Sequence, residues 1–228
     1  MTTRLCVFDA YGTLFDVDGA ARIAASGPDG QELADSWPQL SATWRRKQLE
    51  YTWLRAAAGH HADFGAVTRD ALDWAMEDAG LADDRLRARL LALYLELPVF
   101  AEVPDALRAL AHQGMACAIL SNGTPEMLAS AVRAAGVQDL FQAVLSVEDV
   151  GVFKPAGAVY DMVGAKLGVA RQDVLFISSN GWDICAGAAY GFRTLWVNRA
   201  GAPPDRLFGR PDASVRDLRG LLAQLGDF

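Results

Sequence analysis

Short apolar runs that recur between helical patterns constrain the fold of this chain more than any other feature. The runs that read as buried strands are Leu5–Phe8, Ala116–Leu120, Ala143–Ser146, Val174–Ser178 and Thr194–Val197. Helical patterns lie between or beside them at Pro104–His112, Pro125–Ala135, Ala156–Leu167 and Asp183–Tyr190. Continuous apolar strands that alternate with helices are typical of a parallel sheet covered on both faces. We therefore expect an α/β core with a doubly wound, mainly parallel, Rossmann-like sheet.

The stretch that follows the first strand interrupts this alternation with helical patterns alone. These patterns cover Gln39–Ala58, Arg69–Ala79 and Asp84–Glu96. Pro98 is expected to end the last of them, because proline cannot continue a helix. The sequence thus predicts an all-helical cap of residues 18–97, inserted into a core of residues 1–17 and 98–228.

Composition excludes several classes of function. The formal net charge is -7 and no Lys/Arg-rich run occurs, which argues against a nucleic-acid partner. No apolar run is long enough for a membrane span, and the N-terminus leads directly into a strand rather than a secretory signal. The cysteines, Cys6, Cys117 and Cys185, are far apart, and we expect buried free thiols in a reducing cytoplasm.

Polar residues follow four of the predicted strands at the point where each strand ends. These groups are Asp9 with Thr13, Ser121-Asn122-Gly123-Thr124, Lys154-Pro155 and Ser178-Ser179-Asn180-Gly181-Trp182-Asp183. Taken singly, each has an ordinary explanation as a helix cap or a solvated surface side chain. Because the carboxyl ends of parallel strands meet at one edge of a sheet, the four groups together predict a single site. A carboxylate at the end of a buried strand, such as Asp9, is well placed there to act as a nucleophile.

This combination resembles the L-2-haloacid dehalogenases of the haloacid dehalogenase superfamily. The matching segments are Phe8–Val17, Trp44–Arg55, Leu120–Gly123, Phe153–Pro155 and Ser178–Asp183. The resemblance implies hydrolysis of short-chain (S)-2-haloalkanoic acids to (R)-2-hydroxyalkanoic acids and halide. It implies an ester intermediate on Asp9, no metal or other cofactor, and a homodimer.

Two positions separate this reading from a phosphatase of the same superfamily. Such phosphatases carry an aspartate two residues after the nucleophile as general acid, and further carboxylates that help to hold Mg²⁺. Here Tyr11 and Ser179 stand at those places. A phenol is a poor acid at neutral pH, and Mg²⁺ prefers carboxylate oxygens, whereas a halide leaves without a proton. A Mg²⁺-dependent phosphatase and a non-catalytic binding protein are the alternatives.

The resemblance also assigns roles to individual residues. The catalytic set is Asp9, Thr13, Arg45, Lys154, Ser178, Asn180 and Asp183. The substrate-binding set is Tyr11, Leu49, Phe64, Ser121, Asn122, Tyr160 and Trp182. The halide-binding set is Arg45, Asn122 and Trp182.

Charge balance makes these assignments specific. Asp9, Asp183, the substrate carboxylate and the departing halide bring roughly four negative charges together, which side-chain cations must offset. Lys154 is the expected partner of Asp9. Asp183 acts either as the base for the hydrolytic water or as the group that orients Lys154. Arg46, where many relatives have glutamine, faces either the pocket mouth or solvent. Chain length and halogen preference are left open.

Overall fold

A parallel sheet forms the centre of the molecule. The computed structural model describes residues 5–27 and 30–225, and within them six strands pair in the order β3-β2-β1-β4-β5-β6. The strands are β1 Leu5–Phe8, β2 Ala116–Ser121, β3 Ala143–Ser146, β4 Val174–Ser178, β5 Arg193–Val197 and β6 Ala213–Val215. All pairings are parallel. The predicted doubly wound α/β fold is confirmed.

Helices cover this sheet and fill the insert. They are α1 Gly19–Ala25, α2 Trp37–Ala58, α3 Phe64–Asp78, α4 Asp84–Leu95, α5 Val103–His112, α6 Pro125–Ala134, α7 Gly157–Leu167, α8 Gly181–Tyr190 and α9 Leu221–Gln224. Every residue of β1 and β4 is buried, which explains why these strands read as continuous apolar runs.

The predicted boundaries need several corrections. Strand β6 and helix α1 were not predicted, because β6 is a three-residue edge strand and α1 has no side-chain cap. Helix α3 begins at Phe64, five residues before the predicted Arg69, since the Asp63 side chain accepts a hydrogen bond from the Ala66 N–H at 2.7 Å. Helix α9 was not predicted either, because it has only four residues. The remaining differences are one or two residues at helix and strand ends.

The insert is held to the core by two linkers that pair with each other. Phe15 forms a β-bridge with Val99, and the Asp16 N–H donates to the Pro98 carbonyl at 2.8 Å. Helices α1 to α4 all fall within residues 18–97. We propose that residues 18–97 act as a cap over the carboxyl edge of the sheet, and call them the cap below.

The remaining sequence expectations concern cysteines and membrane spans. Cys6 and Cys117 are partners across β1 and β2, and both are free and buried, as is Cys185. Among the described residues, no helix is long and apolar enough to cross a membrane.

Candidate active site

The site lies where the strand order reverses. Strand β1 has β2 on one side and β4 on the other, so Asp9 emerges between the ends of both neighbours. Crevices at such reversal points are where open α/β sheets bind ligands. The topology therefore brings Asp9, Ser121 and Ser178 to one edge, as the sequence predicts.

Asp9 is held by donors on both carboxylate oxygens. Its Oδ1 accepts from the Lys154 Nζ at 3.1 Å. Its Oδ2 accepts from the Thr13 hydroxyl at 2.9 Å and from the Asn180 side-chain amide at 2.8 Å. The Asp9 side chain is only 8% exposed, so its orientation is fixed before any ligand arrives.

Lys154 bridges two carboxylates inside the protein. Its Nζ lies 2.8 Å from Asp183 Oδ2 as well as 3.1 Å from Asp9 Oδ1, and its side chain is 1% exposed. Burial lowers the pKa of Lys154, but the attraction of Asp183 and Asp9 and their hydrogen bonds outweigh it, so the pKa stays above the ordinary value. Lys154 is therefore a buried cation shared by two anions.

Asp183 is sealed by hydrogen bonds. Its Oδ1 accepts from the Tyr160 hydroxyl at 2.7 Å, and its Oδ2 accepts from Lys154 and from the Ser178 hydroxyl at 3.1 Å. Burial raises the pKa of Asp183, and Lys154 opposes that rise. Asp183 thus has no exposed surface, and three side chains donate hydrogen bonds to its carboxylate. Tyr160 contacts Asp183 and is itself 1% exposed.

The cap contributes one cation to this edge. Arg45 on α2 donates through Nη2 to the Tyr11 carbonyl at 3.2 Å and lies 3.4 Å from Asn180 Oδ1. Arg46, the next residue, is paired with Glu50 and lies over the Trp74 ring. The Arg46 side chain is 56% exposed, so it faces solvent rather than the mouth of the pocket.

Aromatic rings line the same space. The Tyr11 ring lies 5.4 Å from the Phe64 ring and stacks on Tyr94 at 5.6 Å. Burial and the neighbouring Tyr94 raise the pKa of Tyr11 well above its ordinary value, so the phenol is neutral. Its hydroxyl has no hydrogen-bond partner among the described residues. Leu49, one turn after Arg45, is half-buried.

Two side-chain oxygens at the end of β2 accept hydrogen bonds from backbone N–H groups. Ser121 Oγ accepts from the Gly123 N–H at 3.1 Å, and Asn122 Oδ1 accepts from the Lys154 N–H at 3.0 Å. A side chain at Gly123 would place a Cβ 2.8 Å from the Tyr11 ring, so only glycine fits here. Thr124, rather than Ser121 or Asn122, caps helix α6.

Trp182 lies beside an apolar cleft. Its ring packs edge-on against Trp53 of the cap at 5.4 Å. Its Nε1 is buried and has no partner in the described part of the chain. A cleft of about 540 Å³ adjoins both rings and is also lined by Phe153 and Phe208.

The sequence matches a family of known proteins. A family model of haloacid dehalogenase-like hydrolases matches residues 3–191. An (S)-2-haloacid dehalogenase of Pseudomonas sp. (strain YL) is 41% identical over 94% of this chain and 91% of its own length. The chain belongs to the L-2-haloacid dehalogenases of the haloacid dehalogenase superfamily. It is accordingly an enzyme, a hydrolase of the group that acts on carbon–halide bonds.

Solved structures of this family agree with the fold. A crystal structure of an L-2-haloacid dehalogenase is 41% identical, covers 99% of this chain and 100% of its own, and superposes with a TM-score of 0.93. The L-2-haloacid dehalogenase of Xanthobacter autotrophicus with chloropropionic acid covalently bound is 34% identical. It covers 99% of both chains, with a TM-score of 0.86.

Arg199 contacts the loop that carries Thr13, and the sequence analysis did not identify it. Arg199 donates through Nη2 to the Thr13 carbonyl at 2.8 Å and through Nη1 to Glu102 at 2.6 Å, and its guanidinium covers the Phe100 ring. Arg199 thus ties the loop that carries Thr13 to the second cap linker. It follows the end of β5, so the strand-end rule that identified the other residues applies to it as well.

Cap and core also meet through a second polar contact. Glu148 in the core pairs with His61 Nε2 at 2.9 Å and accepts from the Phe64 N–H at 3.1 Å. The His61 ring lies 4.8 Å from the Phe153 ring, directly before Lys154 in the chain. These contacts hold the start of α3, and hence Phe64, against the site.

Among the described residues, no three His, Cys, Asp or Glu are grouped as a metal site.

Proposed function

We propose that this enzyme hydrolyses short-chain (S)-2-haloalkanoic acids to (R)-2-hydroxyalkanoic acids and halide, through an ester on Asp9 and without a metal. The observation that carries the proposal is the buried Lys154, which bridges Asp9 and Asp183 and supplies the positive charge that a reaction without a metal needs there. Tyr11, at the position of the phosphatase acid, is a buried neutral phenol. This arrangement favours a leaving group that departs as an anion.

In the first step the Asp9 carboxylate attacks the halogen-bearing carbon in line. The new carbon–oxygen bond forms as the carbon–halogen bond breaks, and the halogen leaves with the bonding electron pair. Arg45 accepts the halide as charge develops on it. Asn122 retains its side-chain N–H donors, because its Oδ1 already accepts from Lys154. The unpartnered Trp182 Nε1 supplies a third donor.

The substrate carboxylate is bound by the loop after β2. Ser121 Oγ accepts a hydrogen bond from Gly123, so its own hydrogen is free to donate. Backbone N–H groups around Tyr11 and Asn122, between a strand and a helix, add further donors. Tyr11, Leu49, Phe64 and Trp182 form the apolar wall for the alkyl group.

In the second step water attacks the carbonyl carbon of the aspartyl ester. The acyl carbon–oxygen bond breaks, the alcohol oxygen takes one proton of the attacking water, and the other proton is released as the Asp9 carboxylate forms again. The bond to the chiral carbon is untouched, so the inversion from the first step is kept. Whichever Asp9 oxygen carries the alkyl group, the other keeps a donor, either Lys154 or the Thr13 and Asn180 pair. These donors stabilise the oxyanion that forms on water attack. Ser178 and Tyr160 act through Asp183, which orients Lys154.

A panel of short 2-haloacids of both hands, with halide release as the readout, tests the proposal. We expect release from the (S) acids and (R)-2-hydroxy acid as product. Activity should persist in excess EDTA. Halide release that EDTA abolishes would contradict a metal-independent reaction. Phosphate ester hydrolysis in place of halide release would contradict the proposal and support a Mg²⁺-dependent phosphatase.

Two further expectations stay predictions. We propose that the enzyme is a homodimer and that it works in the cytoplasm. Light scattering on the purified protein tests the first. Fractionation of the source cells tests the second.

A further inference from the structure

Gln48 lies buried in the cap directly behind Arg45. The two residues are three apart on α2, so they share one face of the helix. Gln48 is 1% exposed. Its Oε1 accepts from Arg45 Nη1 at 2.8 Å and from the Tyr94 hydroxyl at 3.1 Å, and its Nε2 donates to Thr68 Oγ1 at 2.8 Å.

The hydrogen-bond network fixes which end of the carboxamide faces Arg45. The Thr68 hydroxyl gives its single hydrogen to the Phe64 carbonyl at 2.6 Å, so towards Gln48 it can only accept. The amide nitrogen of Gln48 must therefore face Thr68. Its oxygen then faces Arg45 and Tyr94.

Arg45 consequently rests on neutral acceptors. Its partners include Gln48 Oε1, the Tyr11 carbonyl and Asn180 Oδ1, and the Tyr94 side chain also interacts with it. Within residues 5–27 and 30–225, Arg45 forms no ion pair with a carboxylate. Arg45 is half-buried, and no carboxylate neutralises its guanidinium charge. The positive charge can therefore attract an incoming anion.

We propose that Gln48 is a positioning residue that aims Arg45 at the departing halide while leaving the Arg45 charge unneutralised. Tyr94 and Thr68 lock the carboxamide in the required orientation. This inference rests on the proposed function, since it needs Arg45 to receive the halide. It explains why a neutral amide, rather than the carboxylate that usually partners arginine, stands at position 48.

Two substitutions separate the charge from the contact. Gln48→Glu keeps the shape but places a carboxylate on Arg45, and Gln48→Met removes the acceptor at similar volume. Gln39→Glu is the matched control. It makes the same change from amide to carboxylate on the same helix, α2, but at an exposed position. Tyr94→Phe removes only the hydroxyl that bonds Gln48, while the ring can stay stacked on Tyr11.

The readout is kcat/KM for (S)-2-chloropropionate and (S)-2-bromopropionate. This parameter covers the steps up to carbon–halogen cleavage, and chloride, the poorer leaving group, depends more on Arg45. We expect Gln48→Glu to lower kcat/KM for the chloro acid on the order of 10²-fold, the usual cost of one lost anion-stabilising contact. The bromo acid should lose less, so the bromo-to-chloro ratio rises several-fold. Weaker binding of the substrate carboxylate would affect both acids equally and cancel in the ratio.

The remaining outcomes are assigned in advance. Gln48→Met should raise the ratio as well, Tyr94→Phe should raise it less, and Gln39→Glu should leave it unchanged. If Gln48→Glu does not fold, as judged by thermal unfolding, the Met and Phe variants decide the question. An unchanged ratio in folded Gln48 variants would overturn the inference alone. A wild-type enzyme that releases no halide from any 2-haloacid would overturn the proposed function and this inference with it.

Discussion

Replacement of Lys154 by methionine removes the cation on which the charge balance of the site depends. Lys154 is 1% exposed and contacts two carboxylates that are 8% and 0% exposed. Loss of one partner of a buried ion pair typically costs about 3–5 kcal/mol, because the other partner is left as an uncompensated buried charge. We therefore expect Lys154→Met to lower the free energy of unfolding by about 3–5 kcal/mol at about pH 8.

The loss should depend on pH in a direction that the site dictates. Burial raises the pKa of Asp183, and Lys154 opposes the rise, so the pKa should climb further when Lys154 is absent. A carboxyl group whose folded-state pKa lies above its unfolded value favours folding at low pH. That contribution is lost as the pH rises through the folded-state pKa. The variant should therefore recover part of its stability relative to wild type as the pH falls towards about 5.

Urea unfolding at both pH values, with kcat/KM measured on the same samples, checks this prediction. Lys166→Met is the matched control, because the Lys166–Asp149 pair is about half exposed and such pairs contribute about 0.2–1 kcal/mol. We expect kcat/KM of Lys154→Met to fall on the order of 10²-fold or more. A Lys154 variant as stable as the Lys166 control at about pH 8, with kcat/KM within a few-fold of wild type, would refute the reasoning.

Two further substitutions test the site. Asp9→Asn should abolish halide release and leave the far-ultraviolet circular dichroism unchanged, since only the nucleophile is lost; turnover in freshly purified Asp9→Asn would exclude Asp9 from that role. Arg199→Met should lower kcat more than it raises KM, because the Thr13 loop loses its anchor while the loop after β2 is untouched. Arg219→Met, at an exposed surface pair, is its control, and equal kinetics in the two Arg variants would show that the anchor has no effect on catalysis.

Local pattern was sufficient for most of the sheet. Strands β1, β3 and β4 match their predicted bounds, because each is a short apolar run between clear breaks. Strands β1 and β4 are fully buried, whereas only the second half of β3 is buried. Strand β6 has no such pattern: it pairs on one side only, and its middle residue, Ser214, is exposed. Helix α3 began earlier than its periodicity indicated, because the Asp63 cap rather than apolar spacing sets its start.

Residues that act through long-range packing escaped the sequence reading. Asp9, Lys154 and Asp183 stand in recognisable segments at strand ends, and the fold brings their side chains together. Gln48 contacts both Arg45 and Tyr94 because residues of α2 and α4 meet behind Arg45, which no local spacing reveals. Arg199 could have been found, since it follows a strand end, although its contact with Thr13 spans most of the chain.

A single-turnover experiment in H₂¹⁸O, with enzyme in excess over an (S)-2-haloacid, measures where the solvent oxygen goes. If Asp9 forms an ester and water attacks its carbonyl carbon, the label enters the Asp9 carboxylate and the first hydroxy acid released carries none. Mass spectrometry of the peptide containing Asp9 and of the product reads both outcomes. Label found directly in the hydroxy acid, with an unlabelled Asp9 peptide, would contradict covalent catalysis by this carboxylate.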